Sequence, residues 1–413
     1  MESNKNIAVV GLGNRGQNLL QYAILPACSD FGVKVAALFD LYEDRTAAGA
    51  KIVKEATGCT PIEARSYKEI LENPDIDGVI VSSGWEAHVD LAVAAMKAGK
   101  YVGFEVGGAY CVEDCWRLVN TFEETGTPCM MLENCCYGKR ELMVLNMVRK
   151  GLFGDVVHCS GGYHHDLRGP EALGGDSIRH YRMRNYLNRN CENYPTHELG
   201  PIAKVLNINN GNRMVSLSST ASCSKGLHAY IQKNMEEYGH LADAEFAQGD
   251  VVTTVIKCAK GQTIVLTLDT TLPRAYSRGF TVRGTEGSYF EDTDMIFLDG
   301  IHNKYDSNPK EIWGNAKKYE EHLHPLWENY NTKDGHGGMD FHVISAFLEA
   351  MVAGKRTPID AYDAATYMAI TALSEESILK GGAVVAVPDF TRGKWYMRND
   401  IEDLKYNLDQ IRK

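Results

Sequence analysis

A short apolar run at residues 6–10 leads directly into GLGNRG at residues 11–16, and Leu19, Leu20 and Ala23 then recur with helical spacing. A strand that turns through three spaced glycines into a helix opens a dinucleotide-binding unit, and few other folds accept that pattern. Gly11 permits the tight turn, Gly13 lets the backbone approach a pyrophosphate, and Gly16 lets helix and strand pack closely. The helix amino terminus then offers unpaired N–H groups to the anion. A second apolar run, 33–39, ends in Asp40, 24 residues past Gly16, where a carboxylate takes the ribose hydroxyls. An acid there favours NAD over NADP because it repels a 2′-phosphate. Arg15 and Arg45 temper that preference, since either can meet a phosphate.

The rest of the first third continues the alternation. Apolar runs at 76–81, 101–104 and 130–132 are separated by helical patterns at 86–98, stopped by Gly99, and at 112–124. Strands and helices in this order predict a parallel, doubly wound sheet with the nucleotide at the carboxyl ends of its strands. From residue 156 the pattern changes. β-rich runs at 156–163, 213–224, 251–258, 262–269 and 279–283 predict a large, mainly antiparallel open sheet. Helices are expected at 196–206, 341–352 and 361–379, while 299–330 is aromatic-rich and carries no assignable period. The chain is therefore read as α/β, with an amino-terminal Rossmann domain over 1–136. An α+β substrate-binding domain follows over 137–413, its last segment able to pack back on the first.

A length of 413 residues supports two domains. The net charge of −11 argues against a nucleic-acid surface, which needs clustered Lys and Arg. No run of 18 apolar residues occurs, so no membrane span is expected. The start, MESNKNIAVVGLG, enters the first strand almost at once, and a cytoplasmic location is the expectation. Eleven cysteines without a CxxC pair read as free thiols in a reducing compartment.

The strand ends supply candidate cofactor residues. SSGWEAH at 82–88 follows the 76–81 strand; Trp85 is placed to stack near the nicotinamide, and His88 lies in the first turn of the next helix. Each reads also as a packed boundary residue. The backbone of Glu105-Val106 and the side chain of Asn134 lie at the same edge.

These pieces together resemble the Gfo/Idh/MocA oxidoreductases, with one departure. Where that superfamily carries EKP, whose lysine assists proton transfer at a sugar hydroxyl, this chain reads Glu105-Val106-Gly107. The resemblance sharpens for one branch. EVGGAYCVEDCW (105–116), LEN (132–134), GYHHDLR (162–168), YPTHELGP (194–201), HGGMDF (336–341) and VPDF (387–390) are similar to the NAD-dependent glycoside hydrolases of family 109, typified by α-N-acetylgalactosaminidases. The resemblance implies NAD contacts from Asn14, Arg15, Asp40, Val106, Asn134, Glu105 and the segment Trp85, Glu86, Ala87 and His88. It implies a sugar site of Tyr163, Arg182, Tyr194, Pro195, Thr196, His197 and Tyr276, with Glu133 as a further acid or base. Glu198 and Glu192-Asn193 depart from the family, which often has Gly in the first place and Gly-Asp in the second. Both departures lie beside the implied sugar site.

The resemblance also implies a mechanism in place of two flanking carboxylates. Carbon 3 of the sugar is oxidised transiently, carbon 2 loses a proton, the group on carbon 1 leaves, water adds and the hydride returns. His197, whose ordinary titration lies near neutrality, suits the carbon-3 hydroxyl. Tyr163 is expected to take the carbon-2 proton, which requires nearby cations such as Arg182 to lower its pKa from about 10. Tyr194 and Glu133 are expected to serve the leaving group or the water.

Plainer readings stand beside these. Tyr163 reads also as an ordinary strand residue, His197 as structural, and Thr196 as a helix cap. Tyr276, between two arginines in PRAYSR, reads as exposed to a ligand. His164-His165, the HLH at 322–324, and His336 with Asp340 and His342 raise a metal, but without thiolates or HExxH spacing none is expected. The expected partner is a small glycoside, with a homo-oligomer formed by the open sheet. A sugar or polyol oxidoreductase releasing NADH is the alternative activity, and a cofactor-binding sensor the third reading.

Overall fold

The structure is a computed structural model describing residues 5–303, 305, 312–328, 330, 334–398 and 402–409. Its first sheet contains β1 (Asn6–Val10), β2 (Lys34–Phe39), β3 (Ile62–Glu63), β4 (Gly78–Val81), β5 (Tyr101–Phe104) and β6 (Cys129–Met131). Their order is β3-β2-β1-β4-β5-β6, and every pair is parallel. The order reverses beside β1, which makes the crevice above β1 and β4 the place where such sheets bind ligands. All four residues of β4 are buried, as a strand covered on both faces requires.

The second sheet contains β7 (Val156–His164), β8 (Met214–Ala221), β9 (Val251–Cys258), β10 (Thr263–Asp269), β11 (Thr281–Gly284), β12 (Gly287–Phe290), β13 (Met295–Leu298) and β14 (Val385–Ala386). Their order is β13-β12-β11-β7-β10-β9-β8-β14. The sheet is mostly antiparallel, as expected, but β10 runs parallel to β7, so the two central strands break the pattern. In β9 buried and exposed residues alternate, because only one face is covered by helices. The helix Ala361–Leu379 packs on β8 and on the helix Val112–Thr125 of the first domain.

Elements at the carboxyl side return to the first sheet. The helix Met339–Ala353 lies against it, so that a Cβ at Gly103 would stand 3.2 Å from the Phe347 ring. The Met131 N–H donates to the Ile359 carbonyl at 3.1 Å. One hydrophobic core runs through both sheets, from Ile7 and Val79 to Leu266 and Tyr289.

Several details differ from the sequence expectation. The helix expected from 86 begins as a 3-10 turn, Trp85–Ala87, and becomes α-helical at His88–Lys97. The short strands β3, β12, β13 and β14 were not expected. Within 299–330, the 3-10 segments Asn315–His322 and Pro325–Trp327 account for part of the chain, and residues 304, 306–311 and 329 lie outside the described residues. All eleven cysteines are free.

Candidate active site

The glycine-rich turn has the shape of a phosphate cradle. Gly11 has φ +88°, and a Cβ there would meet the Ser82 backbone at 2.6 Å; at Gly16 it would lie 2.0 Å from the Gly11 carbonyl oxygen. Both positions therefore need glycine for close approach. At Gly13 the nearest atom to such a Cβ is Arg45 Nη1 at 3.4 Å, so this glycine leaves the approach to the turn open. The Asp40 carboxylate closes the far side, accepting from the Leu12 N–H at 2.6 Å and the Tyr42 N–H at 2.9 Å. These features fit a dinucleotide whose pyrophosphate lies over the helix Asn14–Leu19.

Arg15 does not project as a spare cation. Its guanidinium donates to Asp340 Oδ2 at 2.7 Å and Oδ1 at 2.9 Å, and to Glu105 Oε1 at 2.9 Å. Asn134 Nδ2 also donates to Asp340 Oδ1, at 2.7 Å. Burial favours the neutral form of Asp340, but Arg15 and His336 outweigh it and hold the carboxyl well below its ordinary range. Glu105, the residue standing where a lysine would be, thus anchors Arg15 at the end of β5. The pairing of Asp340 with Arg15 could not be read from the sequence, because 325 residues separate them and no local spacing reports it.

His88 is 1 % exposed. Burial lowers its pKa to about 4, and Nε2 lies 3.0 Å from the Ser83 carbonyl, so the ring is neutral and fixes the turn after β4. Trp85 is buried, its ring 4.7 Å from Tyr181 and 5.5 Å from Tyr194. Glu86 is paired with Arg184, and Ala87 closes the 3-10 turn before the helix. Val106 is buried, its N–H donating to Glu105 Oε2 at 3.2 Å.

The sugar-site residues gather beside this edge. Glu133 follows β6, is fully buried, and accepts from the Cys135 N–H at 3.0 Å. His197 Nδ1 lies 2.8 Å from Glu133 Oε1. Burial pushes the Glu133 pKa up, but His197 outweighs it and the net shift is downward, so the carboxylate stays charged. With Nδ1 directed at Glu133, Nε2 is left for chemistry, and Tyr194 Oη stands 3.4 Å from it. The Tyr163 ring lies 4.3 Å from Tyr194 and 5.5 Å from His197. Tyr276 is 50 % exposed and meets Tyr163 edge to face at 6.4 Å.

Arg182 completes the wall. It is buried, its Cζ 5.1 Å from the Trp85 ring and 5.5 Å from that of Tyr194. Its Nε and Nη1 have no hydrogen-bond partner among the described residues. Buried donors without acceptors are costly, and they mark a place where a polar ligand supplies oxygens.

Two expectations need correction. Thr196 is not the cap of the helix Thr196–Val205: Pro195 holds the cap position, no side-chain cap bond forms, and Thr196 is fully buried one residue inside. The Tyr163 pKa is raised rather than lowered, because burial outweighs the opposing charge of Arg182. The phenol is instead held by His165 Nδ1, 2.9 Å from its oxygen. The i, i+2 spacing at the end of a strand puts both on one side, so GYHHDLR carries this pairing as a local signal.

The expected histidine clusters do not converge on one point. His336 pairs with Asp340 at 2.9 Å, while His342 is buried against Trp327 and Tyr330. Among the described residues the one group with ligand atoms within 4.8 Å of one another is Glu133, Cys135 and His197. Burial raises the Cys135 thiol well above its ordinary pKa, so this sulfur favours S–H over the thiolate that a metal takes.

Residues 137–397 match the carboxyl-terminal domain of glycosyl hydrolase 109, and residues 5–133 match the NAD-binding Rossmann fold of an oxidoreductase family. The chain belongs to glycoside hydrolase family 109. It is 44% identical to an α-N-acetylgalactosaminidase of Tannerella forsythia, over 81% of this chain and 75% of that one. It is 39% identical to a family 109 protein of Stenotrophomonas maltophilia, over 96% and 91%. Among solved structures it resembles levoglucosan dehydrogenase in complex with NADH and levoglucosan, with TM-score 0.67 and 17% identity over 93% of this chain and 99% of that one. An oxidoreductase from Agrobacterium radiobacter in complex with NAD+, L-tartaric acid and magnesium follows at TM-score 0.63 and 15% identity, over 94% and 99%. Family 109 membership makes this chain a glycosidase built on a nicotinamide-dinucleotide-binding domain. Among the described residues no helix is long and apolar enough to cross a membrane.

Proposed function

We propose that this protein cleaves hexosides of the α-N-acetylgalactosaminide type by oxidation, elimination, hydration and re-reduction, using NAD. The observation that carries the proposal is the Glu133–His197 pair, with Tyr194, Tyr163 and an unsatisfied Arg182, at the edge where β4, β5 and β6 end. A nicotinamide ring bound at that edge supplies a reversible hydride acceptor for sugar carbon 3. Gly11, Gly13 and Gly16 shape the turn that holds such a dinucleotide, and Asp40 selects NAD. Glu105 and Asp340 hold Arg15, and Asn134 holds Asp340, at the strand ends that would receive the cofactor.

The chain's own groups move the protons. Glu133 holds Nδ1 of His197, so Nε2 accepts the proton of the carbon-3 hydroxyl. Arg182 donates to the sugar oxygens. Tyr163 takes the proton from carbon 2, acidified by the neighbouring carbonyl, and the electron pair left there expels the group on carbon 1. Tyr194, hydrogen-bonded to His197, is placed to protonate that leaving group. The steps then reverse after water has added. A homo-oligomer is proposed through the open face of the second sheet, where Thr253, Val255 and Lys257 are exposed.

The test is incubation of the purified protein with a panel of nitrophenyl glycosides while nitrophenol and NADH are both followed. The proposal expects nitrophenol with catalytic NAD and no steady NADH accumulation. NADH accumulating in proportion to sugar, with the glycosidic bond intact, establishes a dehydrogenase instead. Neither signal across a wide panel leaves a cofactor-binding sensor.

A further inference from the structure

Tyr163 is 8 % exposed, and burial holds its pKa above the ordinary phenol range. A phenol in that state is a poor base unless its own proton can leave. The group placed to receive that proton is His165: Tyr163 Oη lies 2.9 Å from His165 Nδ1, and the two rings meet edge to face at 5.5 Å. His165 is half-buried, its backbone N–H is fixed on the Asp269 carbonyl at 3.0 Å, and its ring packs on Tyr276 at 4.9 Å. It therefore spans from the buried phenol to the half-exposed Tyr276.

We propose that His165 is a positioning residue that relays the Tyr163 proton during removal and return of the carbon-2 proton. The inference rests on the oxidation–elimination reading. In the relay the carbon 2–hydrogen bond breaks and that proton goes to Tyr163 Oη. The original phenol O–H breaks, and its proton goes to His165 Nδ1. The electron pair left at carbon 2 expels the oxygen on carbon 1. After water has added, carbon 2 takes a proton from Tyr163 and Tyr163 recovers one from His165, so the pair ends as it began.

The surroundings suit a ring that starts neutral. Burial, Arg182 and His197 disfavour the charged form, Glu171 and Asp166 favour it, and the net pKa lies below the ordinary histidine value.

Two measurements test the relay. In the protein without substrate, nitrogen NMR should show His165 as the Nε2–H tautomer with Nδ1 accepting from Tyr163; an Nδ1–H ring overturns the proposal. His165→Asn keeps an acceptor near Nδ1 but cannot carry a proton. With NAD and nitrophenyl α-N-acetylgalactosaminide, this variant should still form NADH on mixing at the wild-type rate, with KM little changed. Its carbon-2 deuterium exchange and nitrophenol release should fall about a hundredfold or more. Added imidazole should restore exchange to His165→Ala. Wild-type carbon-2 exchange in His165→Asn overturns the relay alone. Loss of the first oxidation in both variants also overturns it, because the relay acts after that step. Nitrophenol release by the wild type without carbon-2 exchange overturns the elimination reading and the relay with it.

Discussion

At the scale of single residues, the site divides into groups held for chemistry and groups held for shape. Glu133 belongs to the first: it is fully buried, charged, and directed at His197 Nδ1. Glu133→Gln keeps the volume but removes the charge that stabilises a protonated His197, so kcat should fall by about a hundredfold or more while NAD binding persists. Wild-type kcat in that variant refutes the role. Tyr163→Phe keeps the ring and removes the proton carrier; product formed by the wild type in heavy water should carry deuterium at carbon 2, and the variant should lose about a hundredfold in rate. Product without deuterium refutes elimination. The proposed role of Asp40 is cofactor choice. Asp40→Ala should shift the ratio of NAD to NADP affinity by about tenfold towards NADP, ~1.4 kcal/mol, in titrations of apo-protein; an unchanged ratio means the carboxylate does not select. Arg15 is bound to Glu105 and Asp340, whereas Arg45 Nη1 would stand 3.4 Å from a Cβ at Gly13.

At the scale of elements, what could be read from the sequence followed period and punctuation. β1, β2, β4, β5 and β6 were legible because buried parallel strands are short apolar runs, here closed by Gly11, Asp40, Ser82, Glu105 and Glu133. β9 and β10 were legible as runs rich in β-branched residues, separated by the Lys260-Gly261 turn. The two-residue strands β3 and β14 are too short to carry a period, and they are strands only through their neighbours β2 and β8. The parallel pairing of β7 with β10 depends on which strands meet, which no local pattern encodes. The site was legible as motifs but not as partners: Tyr163 and His197 were named, whereas His165 and Asp340 were not given their contacts. One packing contact ties β7 to a departure from the family. A Cβ at Gly161 would lie 1.9 Å from Glu198 Cγ, because the helix Thr196–Val205 presses that side chain onto β7. Gly161→Ala should therefore destabilise the protein by about 1–3 kcal/mol in denaturant unfolding. Adding Glu198→Gly should recover most of the loss, since neighbours that clash are not additive. Equal losses in single and double variants would show that the strain lies elsewhere.

At the scale of the whole molecule, the cofactor edge is not a property of the first domain alone. Asp340, on a helix from the far end of the chain, reaches Arg15 after β1 and Asn134 after β6, so one carboxylate joins both halves of the Rossmann sheet to the second domain. It is 2 % exposed, whereas the Arg15 side chain is 32 % exposed and keeps Glu105 as a second partner. Removing the charge from a buried pair costs about 3–5 kcal/mol when the remaining ion is sealed in. The partial exposure of Arg15 puts Asp340→Asn at the lower end, about 3 kcal/mol. The pH dependence has a definite sign. The Asp340 pKa is lower in the folded protein than in the unfolded chain, so its stabilisation is complete above the unfolded value of about 3.9 and is lost as pH falls towards the folded value. The stability gap between wild type and Asp340→Asn, measured by denaturant unfolding, should be widest at neutral pH and shrink progressively below about pH 4. NAD affinity should fall in the same variant, because Arg15 and Asn134 lose their common acceptor at the strand ends. A gap as wide at pH 3 as at pH 7 would show that Asp340 contributes through packing and not through its charge.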